Sequence, residues 1–102
     1  MSSESKYGIP CEVWESMLQI FRKQAPQCEV ILYGSRAKGN FKPGSDIDLC
    51  LRDSAFTNRD MLALKTALDD LELPWEIDLA VYHNINNSLL IEHIDRVGIV
   101  IS

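Results

Sequence analysis

Three short apolar runs, at residues 29–33, 46–51 and 75–82, most narrow the folds open to this chain. Each is too short for a stable helix and is bounded by turn residues, so each reads as a strand. Around them, apolar residues recur at three- and four-residue steps. Val13, Met17, Ile20 and Phe21, flanked by Trp14 and Leu18, make one wide helical stripe that starts at Pro10 and stops at Ala25 and Pro26. Met61, Leu64, Leu68 and Leu71 make a second, opened by Thr57 and Asp60 as a capping box with a shorter acid and closed by Pro74. Residues 88–97 read as a last amphipathic helix, and the tail at 99–101 as an edge strand. This order predicts an α/β domain of the α+β kind. It is a small mixed sheet of three to four strands with helices mainly on one face, leaving the other face free for a site. Residues 1–8 are polar and expected to be disordered, with 9–102 forming a single domain.

Parity within the second and third runs carries chemistry. Asp46 and Asp48 fall on one side of a strand and Ile47, Leu49 and Leu51 on the other. Same-side Cα atoms in a strand lie about 6.5 Å apart. Two carboxylates that close repel unless a cation sits between them, and oxygen ligands of this kind suit Mg²⁺. In the third run Ile77, Leu79 and Val81 share one side, and Glu76, Asp78 and Ala80 the other. If the two strands are neighbours, Asp78 joins the first pair. Three acids can hold two metal ions about 3.5–4 Å apart, an arrangement that serves phosphoryl and nucleotidyl transfer. An EF-hand is excluded, because the sixth position from Asp46 is Leu51 rather than Gly and the twelfth is Thr57 rather than Glu.

The first strand ends in Gly34, Ser35, Arg36, Ala37, Lys38 and Gly39. A glycine there lets the backbone turn sharply and approach a ligand. If Ser35 opens a helical turn, its hydroxyl and the unpaired N–H groups make an anion site, with Arg36 and Lys38 adding charge. It is not a P-loop, since Asn40 and Phe41 stand where that motif needs Lys and Ser or Thr.

Composition bears on partners. With 10 Lys+Arg against 15 Asp+Glu the formal net charge is -5, which opposes direct binding of nucleic acid but not of a metal-complexed nucleotide. At 102 residues there is little material for a second, acceptor-binding module. Cys11, Cys28 and Cys50 lack metal-site spacing and read as reduced packing residues. No run reaches the ~20 apolar residues of a membrane span and no leader is evident, so a cytoplasmic protein without membrane contact is expected. His83 and His93 have no ligand-spaced companions and read as surface or helix-flank residues. Trp14 and Trp75 read as packing residues, although Trp75 lies near enough to Asp78 in sequence to border a base pocket.

Taken together, Gly34–Gly39, then Ser45, Asp46, Ile47, Asp48 and Leu49, then Asp78 resemble a minimal nucleotidyltransferase of the DNA polymerase β-like superfamily. The resemblance is strong over residues 29–82 and covers the flanking helices in pattern only. Where the family hexamer commonly has Arg, this chain has Lys38, which keeps the charge without the bidentate fork. The resemblance implies the nucleotidyltransferase fold, ATP as substrate and Mg²⁺, two ions in number. It also implies a helical HEPN-type partner encoded alongside, in a hetero-oligomeric toxin–antitoxin pair in which the partner is adenylylated. Carried over by position, Gly34 and Ser35 hold the triphosphate, Asp46 and Asp48 the metals, and Asp78 a metal and the acceptor hydroxyl. Arg36 and Lys38 serve as phosphate or structural partners. Two rival functions stay open at this point: a non-catalytic antitoxin that acts by binding alone, and a nucleotidyltransferase acting on a small hydroxylated molecule.

Overall fold

The alternation in the second and third runs sets the sheet. The computed structural model describes residues 5–53 and 56–102. In chain order it contains β1 (Ser5–Lys6), β2 (Ile9–Pro10), α1 (Cys11–Gln24), β3 (Glu29–Tyr33), α2 (Gly34–Lys38) and β4 (Ile47–Arg52). Then follow α3 (Asn58–Asp69), β5 (Ile77–Val81), a 3₁₀ turn (Tyr82–Asn84), α4 (Ser88–Val97) and β6 (Ile99–Val100). The main sheet has the order β5-β4-β3-β6. β3 runs antiparallel to β4 with Val30 opposite Leu51 and Leu32 opposite Leu49. β5 runs parallel to β4 with Ile47 opposite Ile77 and Leu49 opposite Leu79. The tail at 99–101 supplies the predicted edge strand, with Ile99 opposite Leu32. The strand directions, which the sequence pattern leaves open, are therefore mixed, as the fold class requires.

One face of this sheet carries the main core. Val30, Leu32, Ile47, Leu49 and Leu51 are buried there against Trp14, Met17 and Phe21 of α1 and Leu64 and Leu68 of α3. The capping box at α3 forms as expected: Thr57 Oγ1 accepts the Asp60 N–H, and Asp60 Oδ2 accepts the Thr57 N–H.

Two expectations are corrected. The opposite face is not left wholly free, because α4 lies across it and buries Ile94 with Ile31, Tyr33 and Cys50. The end carrying Asp48 and Asp78 stays accessible, with Asp78 exposed and Asp48 half-buried. Residues 5–8, expected to be disordered, form a hairpin with β2. Tyr7 and Gly8 both take positive φ, 55° and 77°, as a two-residue I′ turn requires. The hairpin is tied down by Trp14 Nε1, which donates to the Lys6 carbonyl at 2.8 Å, and by Ile9, which is fully buried. The same expectation for residues 1–4 lies outside the described residues.

No helix among the described residues is long and apolar enough to cross a membrane. Cys11, Cys28 and Cys50 are free thiols, and burial pushes those of Cys28 and Cys50 up to about 11, as suits packing residues.

Candidate active site

Register brings the acids together. Asp48 stands opposite Asp78 on β5 and opposite Tyr33 on β3, so the three side chains share the face that α4 partly covers. Strands paired this way are about 4.8 Å apart, which places the two carboxylates side by side. Asp46 lies one residue before β4 begins, at the same parity as Asp48, and is exposed, as is Asp78. Asp48 is half-buried. Burial, reinforced by the negative charges of Asp78 and then Asp46, holds its carboxyl above the ordinary carboxylate range, against a weaker opposing pull from Arg36. The same burial and the charges of Asp78 and Asp48 push the Tyr33 phenol upward.

The turn at the end of β3 faces these acids. Gly34 has φ 75°, and a Cβ there would fall on Asp48 Oδ2. Only glycine fits both demands. Ser35 follows in the first turn of α2, whose N–H groups have no carbonyl a turn earlier to bond. The short helix ends at Gly39, φ 88°, where the Gly39 and Asn40 N–H groups both return to the Ser35 carbonyl. Lys38 is exposed on its last turn.

Arg36 is turned inward onto backbone carbonyls. It is only 1% exposed. Its Nε and Nη2 donate to the Ser45 carbonyl at 3.2 and 2.7 Å, Nη1 to the Tyr7 carbonyl at 2.8 Å, and Nη2 also reaches the Pro43 carbonyl at 3.4 Å. Phe41 and Trp75 cover it, with the guanidinium carbon 5.0 and 5.9 Å from their ring centres. Trp75 Nε1 donates to the Pro43 carbonyl at 3.1 Å, so Trp75 too is a packing residue that fastens this loop. The guanidinium thereby holds the segment leading into Asp46.

His93 is a site residue that its sequence context conceals. It lies on α4 at half-buried position, and its Nε2 accepts the Gly34 N–H at 3.2 Å. The only sequence signal is its place beside Ile94 on an amphipathic helix, which says nothing of where that helix docks.

A divalent cation fits this donor set. The acids are hard oxygen ligands, and Asp48, raised first by burial and then by the charges of Asp78 and Asp46, sits where a cation would offset those neighbouring charges. Among the described residues no group of three His, Cys, Asp or Glu side chains encloses a metal by itself.

A glycine–serine turn ending one strand, with acids on the next two, is the arrangement of an enzyme that moves phosphoryl or nucleotidyl groups. Residues 15–102 match the family described as polymerase beta, nucleotidyltransferase. The chain belongs to that family. It is 34% identical over 82 residues to a Haemophilus influenzae protein described as probable protein adenylyltransferase MntA, covering 78% of this chain and 70% of that one. Among solved structures it is similar to a toxin–antitoxin complex with AMP-PNP, at TM-score 0.66 and 19% identity, over 84% of this chain and 69% of the other. It is also similar to the complex of a tri-AMPylated Shewanella oneidensis HEPN toxin with MNT antitoxin, at TM-score 0.63 and 16% identity, over 88% and 69% of the two chains. These structural likenesses agree on the nucleotidyltransferase fold.

Proposed function

We propose that this chain transfers AMP from ATP to a hydroxyl group of a helical HEPN-type partner protein and is the antitoxin of such a pair. The observation that carries this reading is the register of Asp48 with Asp78 beside the Gly34–Ser35 turn. The Haemophilus influenzae relative, described as a protein adenylyltransferase, and the complex holding a tri-AMPylated toxin supply the acceptor class. A net charge of -5 on 102 residues also suits an acceptor that is itself a folded protein rather than a nucleic acid.

In this reading the Ser35 hydroxyl and the N–H groups of α2 from Ser35 onward receive the triphosphate, and Gly34 lets it approach the backbone. Lys38, exposed on the last turn of α2, adds positive charge near the phosphates. Asp46 and Asp48 would hold the cation that accompanies the nucleotide, and Asp78 with Asp48 would hold a second. Mg²⁺ at these positions supplies Lewis-acid polarisation of the phosphoryl oxygens and offsets their charge. Asp78, exposed at the open end of the face, orients the incoming hydroxyl and takes its proton. The hydroxyl oxygen bonds to the α-phosphorus as the bond to the pyrophosphate oxygen breaks, and pyrophosphate leaves. Arg36 contributes by holding the loop that carries Asp46, not by touching phosphate.

Co-expression with the partner from the adjacent reading frame, followed by intact-mass measurement of that partner, tests the proposal. AMP-sized increments that vanish with chelator are expected. An unmodified partner that is nevertheless bound and silenced would establish the binding-only antitoxin instead. Transfer to a small hydroxylated molecule with none to the partner would move the acceptor class.

A further inference from the structure

Gly34 donates its N–H to His93, and so the first N–H of the turn is already engaged before any phosphate arrives. An imidazole Nε2 that accepts a hydrogen bond carries no proton, so the ring proton resides on Nδ1. The helix bearing this imidazole is itself fixed. Its next residue, Ile94, is 1% exposed between Ile31, Tyr33 and Cys50, and its N-terminus is capped by Asn87 Oδ1, which accepts the Leu89 and Leu90 N–H groups at 3.0 and 3.3 Å. Tyr33 meets the His93 ring edge-on, with centroids 6.2 Å apart and planes at 79°. His93 is therefore held on two sides and points its Nε2 acceptor at one backbone atom.

We infer that His93 is a positioning residue for the Gly34 turn. By accepting that N–H it holds residue 34 at its positive φ, with the missing Cβ turned toward the Asp48 carboxylate. It also takes Gly34 out of the set of phosphate donors, leaving that task to Ser35 and the N–H groups after it. The consequence for nucleotide rests on the nucleotidyl-transfer reading above, but the positioning of the turn does not. The competing arrangement is a placeholder, in which His93 occupies the N–H only until a phosphate oxygen displaces it.

The test uses the full chain and three variants. In His93→Gln the side-chain amide oxygen reaches about as far as Nε2 and keeps an acceptor; His93→Asn is too short, and His93→Leu has none. Amide hydrogen exchange at Gly34 is expected to speed up by about tenfold or more in His93→Asn and His93→Leu and to stay within about threefold of wild type in His93→Gln. A long-range ¹H–¹⁵N spectrum of the nucleotide-free wild type should show the Nδ1–H tautomer at His93. Affinity for Mg²⁺ with a non-hydrolysable ATP analogue should follow the same order, falling about tenfold in His93→Leu and little in His93→Gln. An Nε2–H tautomer, or equal exchange in all four proteins, overturns the inference. Tighter nucleotide binding by His93→Leu also overturns it, in favour of the placeholder. A wild type that shows the Nδ1–H tautomer and the exchange pattern yet binds no nucleotide would support the positioning of the turn and count against the nucleotidyl-transfer reading alone.

Discussion

The carboxylate of Asp48 lies where a side chain on residue 34 would begin, since a Cβ on Gly34 would fall on its Oδ2. The glycine of the turn and the acid of the neighbouring strand thus fit together as one unit. Gly34→Ala adds both this collision and the cost of a β-carbon at φ 75°, together expected to destabilise the fold by about 1–3 kcal/mol. In a domain of this size each kcal/mol lowers Tm by about 4–8 °C. Adding Asp48→Ala to Gly34→Ala should recover part of that Tm without recovering nucleotide binding. If the double variant melts below the Gly34→Ala protein, the two residues do not collide as described.

The raised Asp48 carboxyl carries a stability consequence of definite sign. The folded protein holds that proton more tightly than the unfolded chain, so the contribution is complete below the ordinary carboxylate value and is lost as pH rises through the raised one. At neutral pH, without a cation, the ionised group costs stability. Asp48→Asn is therefore expected to raise Tm of the cation-free protein at pH 7 while weakening Mg²⁺–nucleotide binding about tenfold or more. Thermal melts with and without chelator, beside titration calorimetry, check both halves; wild-type affinity in the variant would remove Asp48 from the metal site.

Asp78 sits on β5, while Asp48 lies on β4 and Asp46 just before it, at the open end of the face. In the proposed mechanism Asp46 and Asp48 hold the cation that accompanies the triphosphate, and Asp78 serves the second cation and the acceptor hydroxyl. Asp78→Asn should keep nucleotide affinity within a few-fold and slow transfer by about 10²-fold or more, the loss typical of a positioned base. Single-turnover rates set against calorimetric affinities decide the matter, and a parallel loss of both would place Asp78 in the nucleotide site.

Much of this was legible in the sequence, and the reason is periodicity. The helices at 11–24, 58–69 and 88–97, the strands carrying the acids, and the shared parity of Asp48 and Asp78 follow from steps of two or of three and four, whereas the adjacency and register of their two strands do not. The hairpin at residues 5–10 escapes that logic, because a two-residue turn and two-residue strands are too short to show a period. The docking of α4 over Tyr33, and with it the role of His93, depends on packing between segments 60 residues apart in the chain. Arg36 was readable as a charge beside a phosphate turn. Its burial was not, since its acceptors are carbonyl groups, which every residue possesses.

Those carbonyls set a further expectation. A lysine at position 36 offers one compact ammonium where the guanidinium reaches the backbone of Tyr7, Pro43 and Ser45 together. Arg36→Lys should cost about 2–4 kcal/mol and lay residues 39–46 open to proteases. Denaturant melts and mapping of the first cleavage sites measure the two effects, and unaltered protection of that loop would mean that Trp75 alone secures it.

Because Arg36 grips only main-chain oxygens, the residues that supply them are released from any requirement on their side chains through this contact. As far as Arg36 is concerned, positions 7, 43 and 45 need only present their backbone oxygens, although the Ser45 hydroxyl separately accepts the Lys42 N–H at 2.9 Å and Tyr7 packs edge-on against Trp14. A substitution search looking for a partner that changes in step with Arg36 would find none there. The arginine would look solitary in sequence while joining the backbone of three separate residues.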